Sequence, residues 1–293
     1  MLDVSIILVN YNTMQMTRDC IKSIKKYTCG CSYEIILVDN ASTDGSNEFF
    51  SLVKDIKYIY NDSNVGFGRA NNIGLKYAKG EFVLCLNTDT LLVEDSISKM
   101  IEIARDYSIE VLGVKLVNNE GKMMHSYSPF LPSLLWELDV HCYFFSVFVA
   151  LYYKVKLLFS KIIRVGYITG ADLLIEKKVI DKKSFYDPDF FMYFEESEFQ
   201  YRLRTQGIFP YYYSGTKIVH LEGKSTKVKE NRERMYFLSR KIYYQKTHNF
   251  TYIRIINIIL VCLMYLNLLY SILINKKDSI ELIKFRLSLL KEN

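Results

Sequence analysis

Asp89 closes the stretch "LCLNTD", in which an apolar run gives way to Asn87, Thr88 and a carboxylate. A carboxylate at the end of a buried strand can face a ligand, and hard oxygen donors are what magnesium or manganese bound to a diphosphate requires. Asn, Thr and Asp also favour turns by bonding their own backbone, so on these residues alone a turn and a metal ligand fit equally. "EESE" is a second acidic group, with Glu195, Glu196 and Glu198 opening a helical pattern. The helix dipole would favour acids there without any catalysis. His220, in "KIVHLEG", ends another apolar run and on its own reads as a satisfied strand-end histidine.

The elements that must position these residues alternate along the first half. Apolar runs at residues 4–9, 34–39, 56–60 and 82–87 are each followed by a polar break and a helical pattern. That order predicts β-α units around a mostly parallel sheet, whose ligands collect outside the carboxyl ends of the strands. Asn10, Asp39, Asn87 and Asp89 all fall at such ends. Helices are expected at Met14–Tyr27, 45–54, 67–78 and 95–107, with Thr13, Asp44 and Glu94 as caps. A further strand, "EVLGVKLVN", leads into an aromatic stretch over 127–159 that fits either a helical insertion or a surface-seeking loop. "GYITGADLLIEKKVI" restores order, "DPDFFMYFEESEFQYRLRTQG" reads as a turn and a helix closed by Gly207, and from about Lys229 the pattern is helical.

Glycines exclude one class of enzyme. After Gly66 and Gly68 in "NVGFGRANNIG" the third position is Asn71, and the first strand leads into "NYNTMQ" without glycine, so no dinucleotide fingerprint or phosphate loop is present. The six cysteines are scattered without the spacing of zinc knuckles or redox pairs, and are read as reduced structural thiols. Lys and Arg total 38 against 32 acids, a net charge of +6 without a dense basic block, which speaks against nucleic acid and suits an anionic ligand or a cytoplasmic membrane face. The opening "MLDVSIILVNYN" is too short an apolar run for a signal peptide, and a cytosolic location is expected.

Seven segments, "VSIILVNYN", "ILVDNASTDGS", "NVGFGRANNIG", "LCLNTDT", "TGADLLI", "FFMYFEESEFQYRLRTQG" and "VHLEGKS", occur in an order that resembles family 2 glycosyltransferases, and within them bacterial rhamnosyltransferases. The resemblance covers about residues 3–245. It implies a GT-A fold, an inverting transfer from a nucleotide-sugar donor, and a divalent metal, Mg or Mn. The favoured reaction moves rhamnose from dTDP-rhamnose to a lipid-linked saccharide acceptor in O-antigen or capsule-type synthesis; UDP-hexose and UDP-galactofuranose are alternative donors. Carried over by segment, Asp39 would bond the pyrimidine base, and Asn10, Asn64, Arg69 and Asn72 would line the donor pocket. Asp89 keeps the last aspartate of the family's metal motif, with His220 completing the metal shell and Asn87 touching ribose or sugar. Glu196 falls on the second acid of the family's Glu-Asp pair, the general base, one methylene longer than aspartate. Glu195 and the "TGAD" residues Thr169, Gly170 and Asp172 would shape the acceptor side. A non-catalytic membrane-bound scaffold of the same fold would show losses at Asp89, Glu196 and His220, all of which are present. Processive synthases carry Gln-x-x-Arg-Trp, whereas this chain has "QYRLR" and a single tryptophan, Trp136, so distributive addition is expected.

The resulting division is a GT-A catalytic domain over 1–245, with an aromatic insertion at about 122–165, and a hydrophobic or amphipathic helical region over 246–293. Residues 255–274 form an uncharged run flanked by Arg254, Lys276 and Lys277, and Ile280, Ile283, Leu287 and Leu290 share one face of the helix that follows. Association with the cytoplasmic face of a bacterial inner membrane is the expectation; packing of 255–274 on the catalytic domain, against 142–159, is the alternative.

Overall fold

The computed structural model describes residues 2–142, 146–180, 185–221 and 229–292. Apolar runs rich in Ile, Val and Leu form β1 (Val4–Asn10), β2 (Tyr33–Asp39) and β4 (Phe82–Asn87), with β3 (Lys57–Tyr60) outside β2. These strands lie in the order β3-β2-β1-β4 and run parallel. Alternation sorts their side chains into two cores: Val4, Ile6 and Leu8 enter one layer and Ile7 the other. The first layer is closed by α1 (Met14–Tyr27), the short α2 (Ser46–Phe50) and α4 (Ser96–Asp106), the second by α3 (Phe67–Leu75) and α7 (Glu195–Thr205). Covering both faces is what a parallel sheet requires, and each fully buried Ile or Leu contributes about 1.5–3 kcal/mol.

Beyond β4 the sheet changes direction. β10 (Asp172–Glu176) runs antiparallel between β4 and β6 (Val111–Val117), and β11 (Pro210–His220) is parallel to β6. β5 (Thr90–Leu92) and β8 (Ile162–Arg164) pair antiparallel with β11. The mostly parallel sheet expected from the sequence is thus interrupted by β10, whose short apolar run would read the same in either direction. In register, Asn10 stands opposite Asp39 and Val9 opposite Asn87, so the carboxyl ends of β1, β2 and β4 share one edge.

Helix boundaries and caps depart from the sequence reading where distant partners win. Asp95, not Glu94, caps α4 by accepting from the Ser98 amide at 3.2 Å. Glu94 Oε1 instead accepts from the Thr216 hydroxyl at 2.6 Å and the Lys217 amide at 2.8 Å, tying the approach to α4 to β11. Asp44 caps α1 across space, accepting from the Met14 amide at 2.8 Å, while the Thr13 hydroxyl turns to Asn10. α2 ends at Phe50 and α3 at Leu75, both short of expectation.

The aromatic insertion is helical, with α5 (Leu134–Cys142) and α6 (Ser146–Phe159) following β7 (Tyr127–Ser128), which pairs with β9 (Tyr167–Ile168). Three helices close the chain: α8 (Lys229–Thr247), α9 (Phe250–Leu273) and α10 (Lys277–Glu292). Tyr243 and Tyr244 of α8 and Ile256 of α9 share a core with Phe190 and Phe194, just ahead of α7. Phe237, Leu260, Met264, Leu287 and Leu289 join α8, α9 and α10 in another. α9 packs against α5, α8 and α10; the segment 142–159, expected as its alternative partner, begins where α5 ends, at Cys142. Residue 245 therefore lies inside α8, next to Tyr243 and Tyr244, which sit in a core common to both parts of the chain.

Candidate functional site

A cleft of about 140 Å³ opens outside the carboxyl ends of β1 and β4. Its walls include Tyr11 and Thr13 after β1, Asn40 after β2, Asn64, Gly66 and Phe67 at the start of α3, Asn87, Thr88 and Asp89 after β4, and Phe191 and Met192 ahead of α7. Of the donor-side residues expected from sequence, Asn64, Asn87 and Asp89 line it directly.

Asn10 and Asp39 lie beneath the cleft and are fully buried. Asn10 Nδ2 donates to Asp39 at 2.6 Å, Ser42 at 3.0 Å and Ser46 at 2.9 Å, and its Oδ1 accepts from the hydroxyls of Thr13 and Thr17, each at 2.8 Å. Asp39 Oδ1 accepts from the Ser42 amide at 2.7 Å. Every arm of Asn10 and both oxygens of Asp39 are engaged, so in this geometry they shape the cleft through the loops they hold.

Arg69 and Asn72 face the segment that leads into α7. Arg69 Nε donates to the Pro188 carbonyl at 2.6 Å. Asn72 grips the Tyr186 backbone from both sides, donating to its carbonyl at 2.6 Å and accepting from its amide at 2.9 Å. The Phe67 amide donates to the Phe191 carbonyl at 2.8 Å. Gly66 makes this approach possible: its φ is +89°, and a Cβ there would lie 2.3 Å from that carbonyl. The glycine-bearing segment thus clamps the loop that carries the acidic helix.

Asp89 and His220 meet because Thr90 pairs with His220 across β5 and β11, and the Leu221 amide donates to the Asp89 carbonyl at 2.9 Å. His220 Nε2 lies 3.2 Å from Asp89 Oδ1, and His220 Nδ1 is buried without a partner. A carboxylate oxygen at the cleft wall with an imidazole nitrogen beside it fits a divalent cation such as Mn or Mg. Among the described residues no cluster of three acidic, His or Cys side chains forms, so diphosphate oxygens and water would supply the remaining ligands.

The acidic pair is held by a strained turn. Tyr193 and Phe194 have φ of 73° and 64°, a left-handed conformation that costs bulky residues about 1–2 kcal/mol each. Packing of Phe194 against Trp136, Tyr236 and Tyr243 holds the turn in place. Glu195 is buried, with Oε2 unpartnered; burial, and then the neighbouring charge of Glu196, hold its carboxyl well above the usual range. Burial pushes the carboxyl of half-buried Glu196 up to about 7. The pair therefore loses its protons in two steps. Glu198 is engaged by Arg202 at 2.8 Å one turn along.

On the remaining side, Gly170 lies against the Phe67 ring, with 3.5 Å from its Cβ position to Cε1, and the Thr169 amide and hydroxyl both bond the Ser126 carbonyl. Asp172 is fully buried in the sheet and accepts from the Val114 amide at 2.7 Å; burial raises its carboxyl well above the usual range, so it bridges diverging strands and does not line the cleft. Gln200 was not singled out in the sequence. Its amide bonds both the Ile168 amide and carbonyl at 2.8 Å and the Glu196 carbonyl at 3.0 Å, joining α7 to the "TGAD" loop. The i, i+4 spacing from Glu196 was its only signal. Asn40 was signalled by its place directly after Asp39; Tyr11, Phe67, Phe191 and Met192 had no signal beyond their neighbours.

The model of "Glycosyl transferase family 2" matches residues 5–182. The chain is 29% identical over 210 residues to the "Low-salt glycan biosynthesis hexosyltransferase Agl10" of Haloferax volcanii, covering 70% of this chain and 63% of that protein. The mannosyltransferase PcManGT from Pyrobaculum calidifontis, solved with GDP-Man and Mn2+, superposes with a TM-score of 0.56 at 14% identity over 84% of this chain and 66% of that one. GalNAc-T7, solved with UDP, GalNAc and Mn2+, gives 0.57 at 17% identity over 80% of this chain and 47% of that one. The chain thus spans less than two thirds of each of these proteins, and the two superpositions establish the GT-A fold.

Proposed function

Because the chain belongs to glycosyl transferase family 2, we propose that it transfers a sugar from a nucleotide-sugar donor to a lipid-linked glycan acceptor in polysaccharide synthesis, with inversion at the anomeric carbon. The observation that carries this reading is the convergence of Asp89, in the wall of a cleft built from strand ends, with His220, 3.2 Å away. In the proposed complex Asn64 and Asn87 contact the donor, while Asp39 and Asn10 hold the loops around it. Asp89 and His220 would hold a divalent metal. Such a metal neutralises the charge that grows on the departing diphosphate.

Glu196 is the proposed base. A carboxyl with a raised proton affinity can accept the hydroxyl proton of the acceptor as that oxygen attacks the anomeric carbon from the face opposite the diphosphate. One base then suffices, with no covalent intermediate. Burial holds the Glu195 carboxyl beside it well above the usual range, and Gln200 ties the Glu196 backbone to Ile168, where the acceptor-side loop of Thr169 and Gly170 begins. Asp172 supports that loop from within the sheet.

The donor is argued from two directions. The subgroup resemblance favours dTDP-rhamnose, whereas the relative described as a hexosyltransferase and the neighbours solved with GDP-Man and UDP favour a hexose. Incubation of the full chain with dTDP-rhamnose, UDP-hexoses, UDP-galactofuranose and GDP-mannose, with and without Mn2+, tests the proposal by donor hydrolysis and by the anomeric configuration of the product. Metal-dependent turnover of one donor with inversion is expected. Retention of configuration, or no turnover of any nucleotide sugar, overturns it.

A further inference from the structure

Away from the cleft, α8 and α9 enclose a groove of about 540 Å³ lined by Lys241, Gln245, Phe250, Ile253, Arg254, Asn257, Ile258, Val261 and Cys262. Its wall is mostly apolar, its lining carries two cations, Lys241 and Arg254, and none of its lining residues is a carboxylate. An apolar trough closed by unopposed positive charge is complementary to an amphiphile with an anionic head.

A second feature lies beside it. Arg240 is 3% exposed; its Nε donates to buried Glu137, and its Nη1 donates to Asn257 Oδ1 at 2.9 Å. Its Nη2 is buried and has no partner. Arg240 borders a small cavity of about 30 Å³ that shares Lys241, Ile253 and Asn257 with the groove. Since Asn257 Oδ1 is held by Arg240, its amide nitrogen remains for a ligand oxygen. Arg240 does not itself line the groove, and its part there is to hold Asn257 in place at the shared wall.

The apolar side of the groove does not end at Cys262. Ile258, Cys262, Tyr265, Leu266, Leu269 and Leu273 follow one another at helical spacing, and all are exposed. From Ile258 to Leu273 this stripe runs roughly 22 Å at 1.5 Å per residue, the reach of a long hydrocarbon chain.

We propose that the α8–α9 groove binds the phosphate ester of a long-chain lipid, with the phosphate at Lys241, Arg254 and Asn257 and the chain along α9. The proposal deepens the reading of a lipid-linked acceptor, and rests on it, by naming the acceptor's carrier as a lipid phosphate and giving it a seat on the C-terminal helices.

Dodecyl phosphate below its micellar concentration, titrated calorimetrically into the full chain, is the probe. It should bind at least about tenfold more tightly than uncharged dodecyl glucoside or inorganic phosphate. The double variant Lys241→Ala/Arg254→Ala should lose about tenfold or more in affinity for dodecyl phosphate, and Ile258→Asp should lose a similar factor. UDP binding and donor hydrolysis should be unchanged in both variants. Equal affinity for the uncharged analogue, equal affinity for inorganic phosphate, or indifference to the double substitution overturns the groove assignment. Dodecyl phosphate binding in a chain that hydrolyses no nucleotide sugar would count against glycosyl transfer alone, and hydrolysis without dodecyl phosphate binding against the groove alone.

Discussion

A carboxylate is a stronger base near neutral pH when its proton affinity is raised, and burial raises it at Glu196. In the proposed reaction Glu196→Gln keeps volume and hydrogen bonding but removes that proton affinity. Turnover should fall by roughly a hundredfold or more with donor affinity nearly unchanged, read by steady-state kinetics and nucleotide titration. The wild-type rate should climb as pH rises through about 7, because the base must be unprotonated. The same shift has a consequence for stability. A carboxyl whose folded-state affinity for protons exceeds that of the unfolded chain stabilises most at low pH, and the advantage is lost as pH rises from its ordinary value of 4.5 to about 7. The melting temperature of Glu196→Gln relative to wild type should therefore increase between pH 5 and pH 8, and a constant difference would contradict the shift. Asp89 answers to a separate test: Asp89→Ala should abolish Mn2+-dependent donor hydrolysis while leaving the melt close to wild type, since the side chain lies at the cleft wall and outside the packed core. Full activity of this variant, or of wild type in EDTA, would remove the metal from Asp89.

The segment opening α3 acts on the site through the loop it grips. Asn72→Ala removes both bonds to the Tyr186 backbone and should cost about 1–3 kcal/mol, read as a lower melting temperature and faster amide exchange over 185–194. If the melt falls but exchange rises elsewhere, the clamp is misassigned. Gly66→Ala should be worse, because the new methyl meets the Phe191 carbonyl and the backbone is left-handed there. How far such roles could be read beforehand depends on their range. The strand-end positions of Asn87, Asp89 and His220 were legible, since buried runs broken by polar residues mark strand ends. The clamp was not, because Arg69 and Asn72 bond backbone atoms 119 and 114 residues away, and a sequence shows only that they are polar. The same holds for Asp95 displacing Glu94 as a cap and for Asp172, whose "TGAD" context gives no hint of the Val114 amide. The left-handed turn at Tyr193 and Phe194 runs against local preference altogether, and packing with Trp136 and Tyr243 decides it.

At the scale of the molecule the question is where α9 spends its exposed face. Its length and mean hydropathy of 2.2 would suit a bilayer crossing, with 22% of the apolar window buried. The buried part is specific: Ile256 packs with Phe190 and Phe194 beside the acidic helix, and Leu260 and Met264 with α8 and α10. Crossing a bilayer would strip those contacts from the loop that presents Glu196, whereas lying on the surface keeps them and buries the opposite face. α6 adds exposed Phe148, Leu151, Leu158 and Phe159, and Lys276, Lys277 and Lys284 follow α9. Each basic residue near an anionic leaflet adds on the order of 1 kcal/mol of attraction, and each inserted Leu about 1.5–3 kcal/mol. We therefore expect the full chain to sediment with phosphatidylglycerol vesicles, less so at high salt. The triple variant Leu266→Ser/Leu269→Ser/Leu273→Ser should lose at least about tenfold in vesicle affinity with its melt and nucleotide binding intact, since all three side chains are exposed. Truncation after Lys246 would be a poorer test, because it also removes Ile256 from the Phe194 core and should impair turnover even of a soluble acceptor. If the triple variant sediments as fully as wild type, α9 is not the docking face, and the exposed apolar side chains of α6 become the ones to substitute.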